Sequence, residues 1–195
     1  MKQFTRNILL LLLLGIFASF VGAHVSLTAV ESVAAPAPQT SLAYYFSPHG
    51  GAKEAILKEI GGAREEILVA MYNFTSSDLA QALVRAKGRG VRVRVILDEG
   101  QQIHEGSGAQ GRQSAYLAED GIDVSFDSVS GLMHNKFAVI DRSVVLTGSY
   151  NWTDGAEDRN FENLLVIRSD EIASRYADEF DVIRSYCGNP RAASE

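Results

Sequence analysis

The chain has 195 residues, 46% of them hydrophobic and 22% charged, and a formal charge of −6. A length of this order suits one domain with a real core. The acidic excess is not that of a protein built for diffuse binding to DNA or anionic lipid, so any nucleic-acid contact must be local to a groove. Cys187 is the only cysteine, which excludes an intramolecular disulfide and leaves a spare thiol or a link between two chains.

Lys2 and Arg6 precede an apolar run from Ile8 to Val21 and the small residues Gly22 and Ala23, the order of a secretory signal peptide. The run is short for a membrane span, which needs about twenty residues. Cleavage after Ala23 is expected, giving an exported protein, periplasmic or secreted. The rival is an uncleaved N-terminal membrane anchor running on to Val30, against which His24, Ser26 and Thr28 count. Lys2 and Arg6 are the only charges of residues 1–23, so cleavage takes the formal charge from −6 to −8. Residues 24–41, small and Ala- and Pro-containing without clear period, read as a linker.

Residues 42–195 read as a single domain. Strands are expected at Ala43–Phe46, Ile67–Phe74 and Val91–Asp98, with helices at Ala52–Ile60 and Ser77–Lys87. A Gly-rich loop, Glu99–Gly111, leads to a helix at Arg112–Asp120 and a strand at Ile122–Phe126. A hairpin follows, then a strand at Phe161–Arg168 and a closing helix, Asp170–Tyr186, with a core-facing stripe of Ile172, Tyr176, Phe180 and Ile183. Repeated strand-helix-strand units favour an α/β fold with a mixed, mostly parallel sheet flanked by helices on both faces. No internal repeat is present.

The chemistry-bearing residues lie between His134 and Asn163. His134 and Lys136 share one face of a strand by its period of two, while Phe137 and Val139 take the other. The polar turn Asp141-Arg142-Ser143 and the β-branched run from Val144 to Thr147 suggest a hairpin that returns Gly148, Ser149 and Asn151 beside that strand. A neutral imidazole can attack phosphorus, an ammonium can neutralise non-bridging oxygens, and hydroxyl and amide donors can bind the charge that develops. A carboxylate such as Glu162 could hold the imidazole in the right tautomer. Singly, each residue has a plainer reading as a surface histidine, an edge-strand charge or turn chemistry.

His134-x-Lys136-x4-Asp141-x6-Gly148-Ser149-x-Asn151 resembles the HKD signature of the phospholipase D superfamily, with Glu162 at the place of the family's downstream acidic residue. The likeness covers about residues 43 to 186, and within the family it points to the small single-motif bacterial endonucleases exported to the periplasm. The resemblance implies a covalent phosphohistidine on His134, phosphate binding by Lys136, Ser149 and Asn151, and orientation of the histidine by Glu162. Asp141 belongs to the motif and enters the catalytic set with it, although at a strand end it could serve the fold instead. The family's site needs two His-x-Lys copies, and none of His24, His49 or His104 has a lysine two places on. A two-fold homodimer is therefore expected to complete the site.

Ligands in open α/β sheets gather at the carboxyl ends of parallel strands. His134, at the start of its strand, reaches that edge only if the strand runs antiparallel to its neighbours. Asn73 could bind phosphate there or serve as a cap or turn residue. His49 and His104 read as loop histidines. Arg85, Lys87, Arg89, Arg92 and Arg94 lie at the opposite end and read as structural more readily than as a DNA patch. Tyr150 and Trp152 could stack on a base or belong to the core. No metal-ligand spacing is visible, Asp98 and Glu99 being as easily turn formers as magnesium ligands, and no cofactor is expected. The leading expectation is a metal-independent endonuclease acting on DNA, or RNA, with no stable membrane partner after leader cleavage. The rivals are a hydrolase of phosphodiester lipids and a silent nucleic-acid-binding module.

Overall fold

The computed structural model describes residues 40–104 and 109–188. The leader and all but the last two residues of the linker expected from sequence lie outside them. In chain order the elements are β1 (Ser41–Ser47), α1 (Ala52–Gly62), β2 (Glu66–Met71), α2 (Ser77–Gly88), β3 (Arg92–Leu97), α3 (Glu99–His104), α4 (Ala109–Glu119), β4 (Asp123–Phe126), β5 (Lys136–Ile140), β6 (Val144–Gly148), α5 (Asp154–Asp158), β7 (Glu162–Arg168) and α6 (Asp170–Ser185). The stretch read as a Gly-rich loop thus begins as a helix, α3. The short helix α5 was not foreseen; Thr153 caps it by accepting a hydrogen bond from the Ala156 N–H.

The strands form one sheet in the order β1-β7-β6-β5-β2-β3-β4. Only β2 with β3 and β3 with β4 pair in parallel, and the other four pairings are antiparallel. The sheet is mixed, as expected, but mostly antiparallel, which corrects the mostly parallel reading. The reason is connection length. A parallel crossover needs roughly a dozen residues, whereas Asp141 to Ser143 alone join β5 to β6. The strand-helix alternation holds as far as β4 and then gives way to a meander.

Every residue of β2 is buried, because helices cover both faces of the sheet around it. Ile67, Val69 and Met71 pack toward Ile56 and Ile60 of α1, Leu79 and Leu83 of α2 and Leu117 of α4. Leu68 and Ala70 face the other way, with Phe137 and Val139 of β5, toward Ala173, Ala177, Phe180 and Ile183 of α6. Each fully buried large side chain contributes about 1.5–3 kcal/mol. The expected stripe on α6 is partly shifted: Phe180 and Ile183 are buried, but Ala173 and Ala177 take the inner positions while Ile172 and Tyr176 pack at the edge.

The basic cluster is structural. Buried Glu66 receives Arg92 at 2.7 Å, Arg94 at 3.2 Å and Arg142 at 3.4 Å, and Arg94 also stands over the Phe180 ring. Arg89 donates to the carbonyls of Ile60 and Ala63, and Lys87 to those of Asp120 and Gly121. Arg85 and Lys87 fall in the last turn of α2, where cations complement the helix dipole.

Candidate active site

β5 runs antiparallel to β2 with Lys136 opposite Met71, so the start of β5 stands at the carboxyl ends of β2 and β3. This is the edge that the sequence required His134 to reach. The backbone on either side of His134 is fixed: Met133 N–H donates to Asp98 Oδ2 at 2.9 Å, and the Asn135 carbonyl accepts from Tyr72 N–H at 2.8 Å. The imidazole between them is exposed. Its ring lies 4.4 Å from that of Tyr72, centroid to centroid and edge-on, and Lys136 Nζ lies 4.8 Å from the same Tyr72 centroid. Lys136 Nζ also donates to the His134 carbonyl at 2.8 Å. Burial lowers the Lys136 pKa from its ordinary value, against the opposing pull of Glu162 and Asp98.

β6 and β7 bring the remaining groups to this edge. Ser149 Oγ accepts from Asn163 N–H at 3.0 Å while Ser149 N–H donates to the Asn163 carbonyl and Oδ1; among the described residues no group accepts the hydroxyl proton, which leaves it for a ligand. Gly148 makes this pairing possible. It has φ 154, and a Cβ there would run into the Asn163 carbonyl. Gly148→Ala is expected to cost roughly 2–4 kcal/mol and to displace Ser149, read as a lowered denaturation midpoint together with weaker phosphate binding.

Asn151 and Asn73 precede Trp152 and Phe74, which form a parallel bridge, and Trp152 N–H donates to the Asn73 carbonyl. The side-chain oxygens of both asparagines are buried without a partner among the described residues. A side-chain amide can present either end, so the two are unspent binding groups at one edge. Asn73 is not a helix cap, since Ser76 holds that position for α2. Tyr150 and Trp152 are core residues: both are buried, Tyr150 donating to buried Glu157 at 2.8 Å and Trp152 packing edge-on against Phe74. Glu162 opens β7, where it acts electrostatically on Lys136 and accepts a hydrogen bond from Asn160 Nδ2. It makes no hydrogen bond to the His134 ring within the chain.

A nucleophilic imidazole beside an ammonium, with a free hydroxyl and unspent amides around them, is an arrangement for displacement at phosphorus. Residues 56–184 match the family model described as cardiolipin synthase, PLD-like domain. The chain belongs to the phospholipase D superfamily. It is 39% identical over 158 residues to a mitochondrial cardiolipin hydrolase of Xenopus laevis, covering 80% of this chain and 71% of that one. With a phospholipase D of Rickettsia conorii the identity is 37% over 131 residues, 67% of this chain and 63% of the relative, so the likeness spans somewhat less than two thirds of that protein. Among solved structures, the phospholipase D family member Nuc from Salmonella typhimurium superposes with a TM-score of 0.72 and 32% identity, over 76% of this chain and 97% of Nuc. NucT from Helicobacter pylori gives a TM-score of 0.66 and 25% identity, over 76% and 98% of the two chains. Membership makes the protein a phosphodiesterase-type hydrolase.

One residue of the superfamily motif is not brought to the site. Asp141 follows the far end of β5, about 17 Å from Lys136 at strand rise. Its carboxylate accepts from the N–H groups of Arg64, Glu65 and Glu66 at 2.9, 2.8 and 3.0 Å. Burial would raise its pKa, but these hydrogen bonds outweigh it and hold the carboxyl below the usual range. The catalytic reading of Asp141 is corrected to a structural one: it ties the β5–β6 turn to the start of β2. Asp141→Ala is expected to lower stability by roughly 2–4 kcal/mol in urea unfolding and to leave the turnover of folded protein largely intact. Because the folded-state pKa is depressed, this stabilisation is present above the unfolded pKa of about 3.9 and is lost as pH falls through the folded value.

The remaining candidates make no contact with the His134 ring among the described residues. His49 is exposed, with φ 63, and donates its N–H to the Glu157 carbonyl. His104 falls in α3, and its side chain lies outside the described ones. Both Asp98 oxygens are taken by backbone N–H groups, those of Gln101 and Met133, and the Glu99 N–H is held by Asp127. Cys187 is half-buried, and burial raises its thiol pKa. Among the described residues no group of three or more His, Cys, Asp or Glu is placed to hold a metal, and no helix is long and apolar enough to cross a membrane. Sequence reasoning missed Tyr72, which touches both His134 and Lys136. Its one signal was an aromatic residue just before Asn73, at the end of a buried strand.

Proposed function

We propose that the protein is an exported endonuclease that cleaves DNA, or RNA, without a metal ion, through a covalent phosphohistidine on His134. The observation that supports this most is the exposed His134 ring, fixed by its backbone on both sides and faced by Lys136, at an edge that also carries Ser149 and the unspent amide of Asn151. The imidazole attacks phosphorus and the bond to the leaving oxygen breaks, with Lys136, Ser149 and Asn151 binding the phosphoryl oxygens. A second, protonated imidazole gives its proton to the leaving oxygen. The same imidazole then takes a proton from water, which attacks the phosphohistidine and frees His134.

The second imidazole comes from another copy of the chain. A single His-x-Lys, and a Glu162 that makes no hydrogen bond to its own His134, both favour a two-fold homodimer with the motifs facing across the axis. Specific activity is then expected to fall on dilution, in step with dimer dissociation followed by light scattering. Activity that stays constant per chain in a dilute monomer would defeat the dimer. The apolar run ahead of residue 24 supports export and leader cleavage, which N-terminal sequencing of the protein from its natural compartment would test.

Phosphodiester lipid is the second reading. It draws on the relatives described as cardiolipin hydrolase and phospholipase D, and on apolar side chains at this edge: Phe161 is 94% exposed beside Glu162, Leu132 61% two places before His134, and Phe46 60% beside Ser47. The sequence offered only Leu132 and Met133 for an apolar entrance. The same side chains would be covered if two copies met there. The deciding assay sets supercoiled plasmid against phosphatidyl-lipid vesicles, both in excess EDTA. Nicking of plasmid without lipid hydrolysis is expected; hydrolysis of lipid alone would transfer the function to the second reading, and inactivity on both would leave a binding module.

A further inference from the structure

We propose that Tyr72, held from behind by Gln101 and Asp98, is the positioning residue that sets the His134 imidazole and the Lys136 ammonium relative to each other. This rests on the reading of His134 as nucleophile. Tyr72 is the first residue past β2, and its backbone N–H is spent on the Asn135 carbonyl, so the ring starts from a fixed point between the two side chains. One ring then meets both groups, with His134 edge-on at 4.4 Å and Lys136 Nζ at 4.8 Å from its centroid. An aromatic edge contact restricts imidazole rotation, and a cation over a ring stays near it while that ring excludes water from one side.

The ring is itself anchored. Its hydroxyl accepts from Gln101 Nε2 at 2.8 Å, and Gln101 N–H donates to Asp98 Oδ1 at 2.9 Å. The other oxygen of the same carboxylate, Oδ2, accepts from Met133 N–H, on the residue before His134. Asp98 is 1% exposed. A single buried carboxylate therefore fixes both the loop that presents the nucleophile and the turn that clamps the ring beside it. The circuit Asp98, Met133, His134, Tyr72, Gln101 closes on itself. Among the described residues no carboxylate hydrogen-bonds the His134 ring, and this ring contact is the one that limits the orientation of the imidazole there. A displacement of about 1 Å at such a centre can cost on the order of a hundredfold in rate.

The test uses the full chain and a small aryl phosphodiester, bis(p-nitrophenyl) phosphate, with the His134 ring C–H resonance followed by NMR. Tyr72→Leu is expected to lower kcat roughly 100-fold with KM within about threefold, and to abolish the ring-current displacement of the His134 resonance. Tyr72→Phe should recover all but about three- to tenfold of that loss. Gln101→Ala removes the same hydrogen bond, so it should match Tyr72→Phe, and the double variant should be no worse than either. Tyr72→Leu that keeps kcat within about twofold, or losses from Tyr72→Phe and Gln101→Ala that add independently, would overturn the proposal. If Tyr72→Leu does not fold, Tyr72→Phe and Gln101→Ala carry the test. If wild type turns over no phosphodiester, the nucleophile reading fails, while the positioning claim is still decided by the resonance. Gln101→Ala must shift it, and an unmoved resonance would overturn the claim.

Discussion

Replacing His134 with alanine is expected to lower phosphodiester cleavage by at least about 10⁴-fold. The protein should nevertheless melt within a few degrees of wild type. The imidazole is exposed and among the described residues makes no hydrogen bond through its ring, so its removal costs little beyond the contact with Tyr72, about 0.5–1.5 kcal/mol. The loop survives because it is held through the backbone, by Asp98 at Met133 and by Tyr72 at Asn135. Cleavage of plasmid and of an aryl phosphodiester, with a thermal melt on the same preparation, separates the two effects. Residual activity above about 1% of wild type would place the nucleophile elsewhere.

Lys136→Met is expected to cost about 10³-fold in cleavage, because it removes the charge that the proposed function sets against the phosphoryl oxygens, and to cost little stability, because relief of a half-buried charge offsets the lost contacts with the His134 carbonyl and the Tyr72 ring. The second half follows from the lowered Lys136 pKa. A lysine that folding makes easier to deprotonate is a burden in its charged form. That burden is present at neutral pH and is relieved as pH rises through the folded-state value. Methionine removes it at every pH, so the variant should melt within a few degrees of wild type at pH 7 and lose ground to it as pH rises into the alkaline range. For the same reason, the alkaline limb of wild-type activity should begin below the ordinary lysine pKa. Kinetics and melting curves across pH 6 to 10 check both statements.

The site was more legible in the sequence than the sheet was. His134 and Lys136 share a face because a strand has a period of two, and the antiparallel course of β5 followed from the need to bring His134 to the carboxyl ends of its neighbours. The direction of the remaining strands was not legible. Alternating strands and helices argue for parallel pairing only while each connection is long enough to cross over; three residues join β5 to β6, and the thirteen between β6 and β7 carry only the short helix α5 and return the chain antiparallel. Asp141 was misplaced for a related reason. Spacing along the chain shows that it belongs with His134 and Lys136, but not that five residues of strand carry it to the opposite edge, where Arg64, Glu65 and Glu66 wait. Tyr72 and Gln101 escaped because their roles depend on pairing across 62 and 29 positions of sequence, to His134 and Tyr72 respectively, and no local pattern encodes such a meeting. Tyr150 and Trp152 could not be assigned to core or surface until the bridge between Phe74 and Trp152 placed them inside.

The most direct test is to quench a single turnover in excess EDTA and to weigh the peptide that contains His134. The account predicts an acid-labile phosphoryl or phosphodiester adduct on that histidine, formed and lost at the rate of turnover and absent from His134→Ala. Turnover that stops in EDTA, or that proceeds with no adduct at any time point, would contradict it.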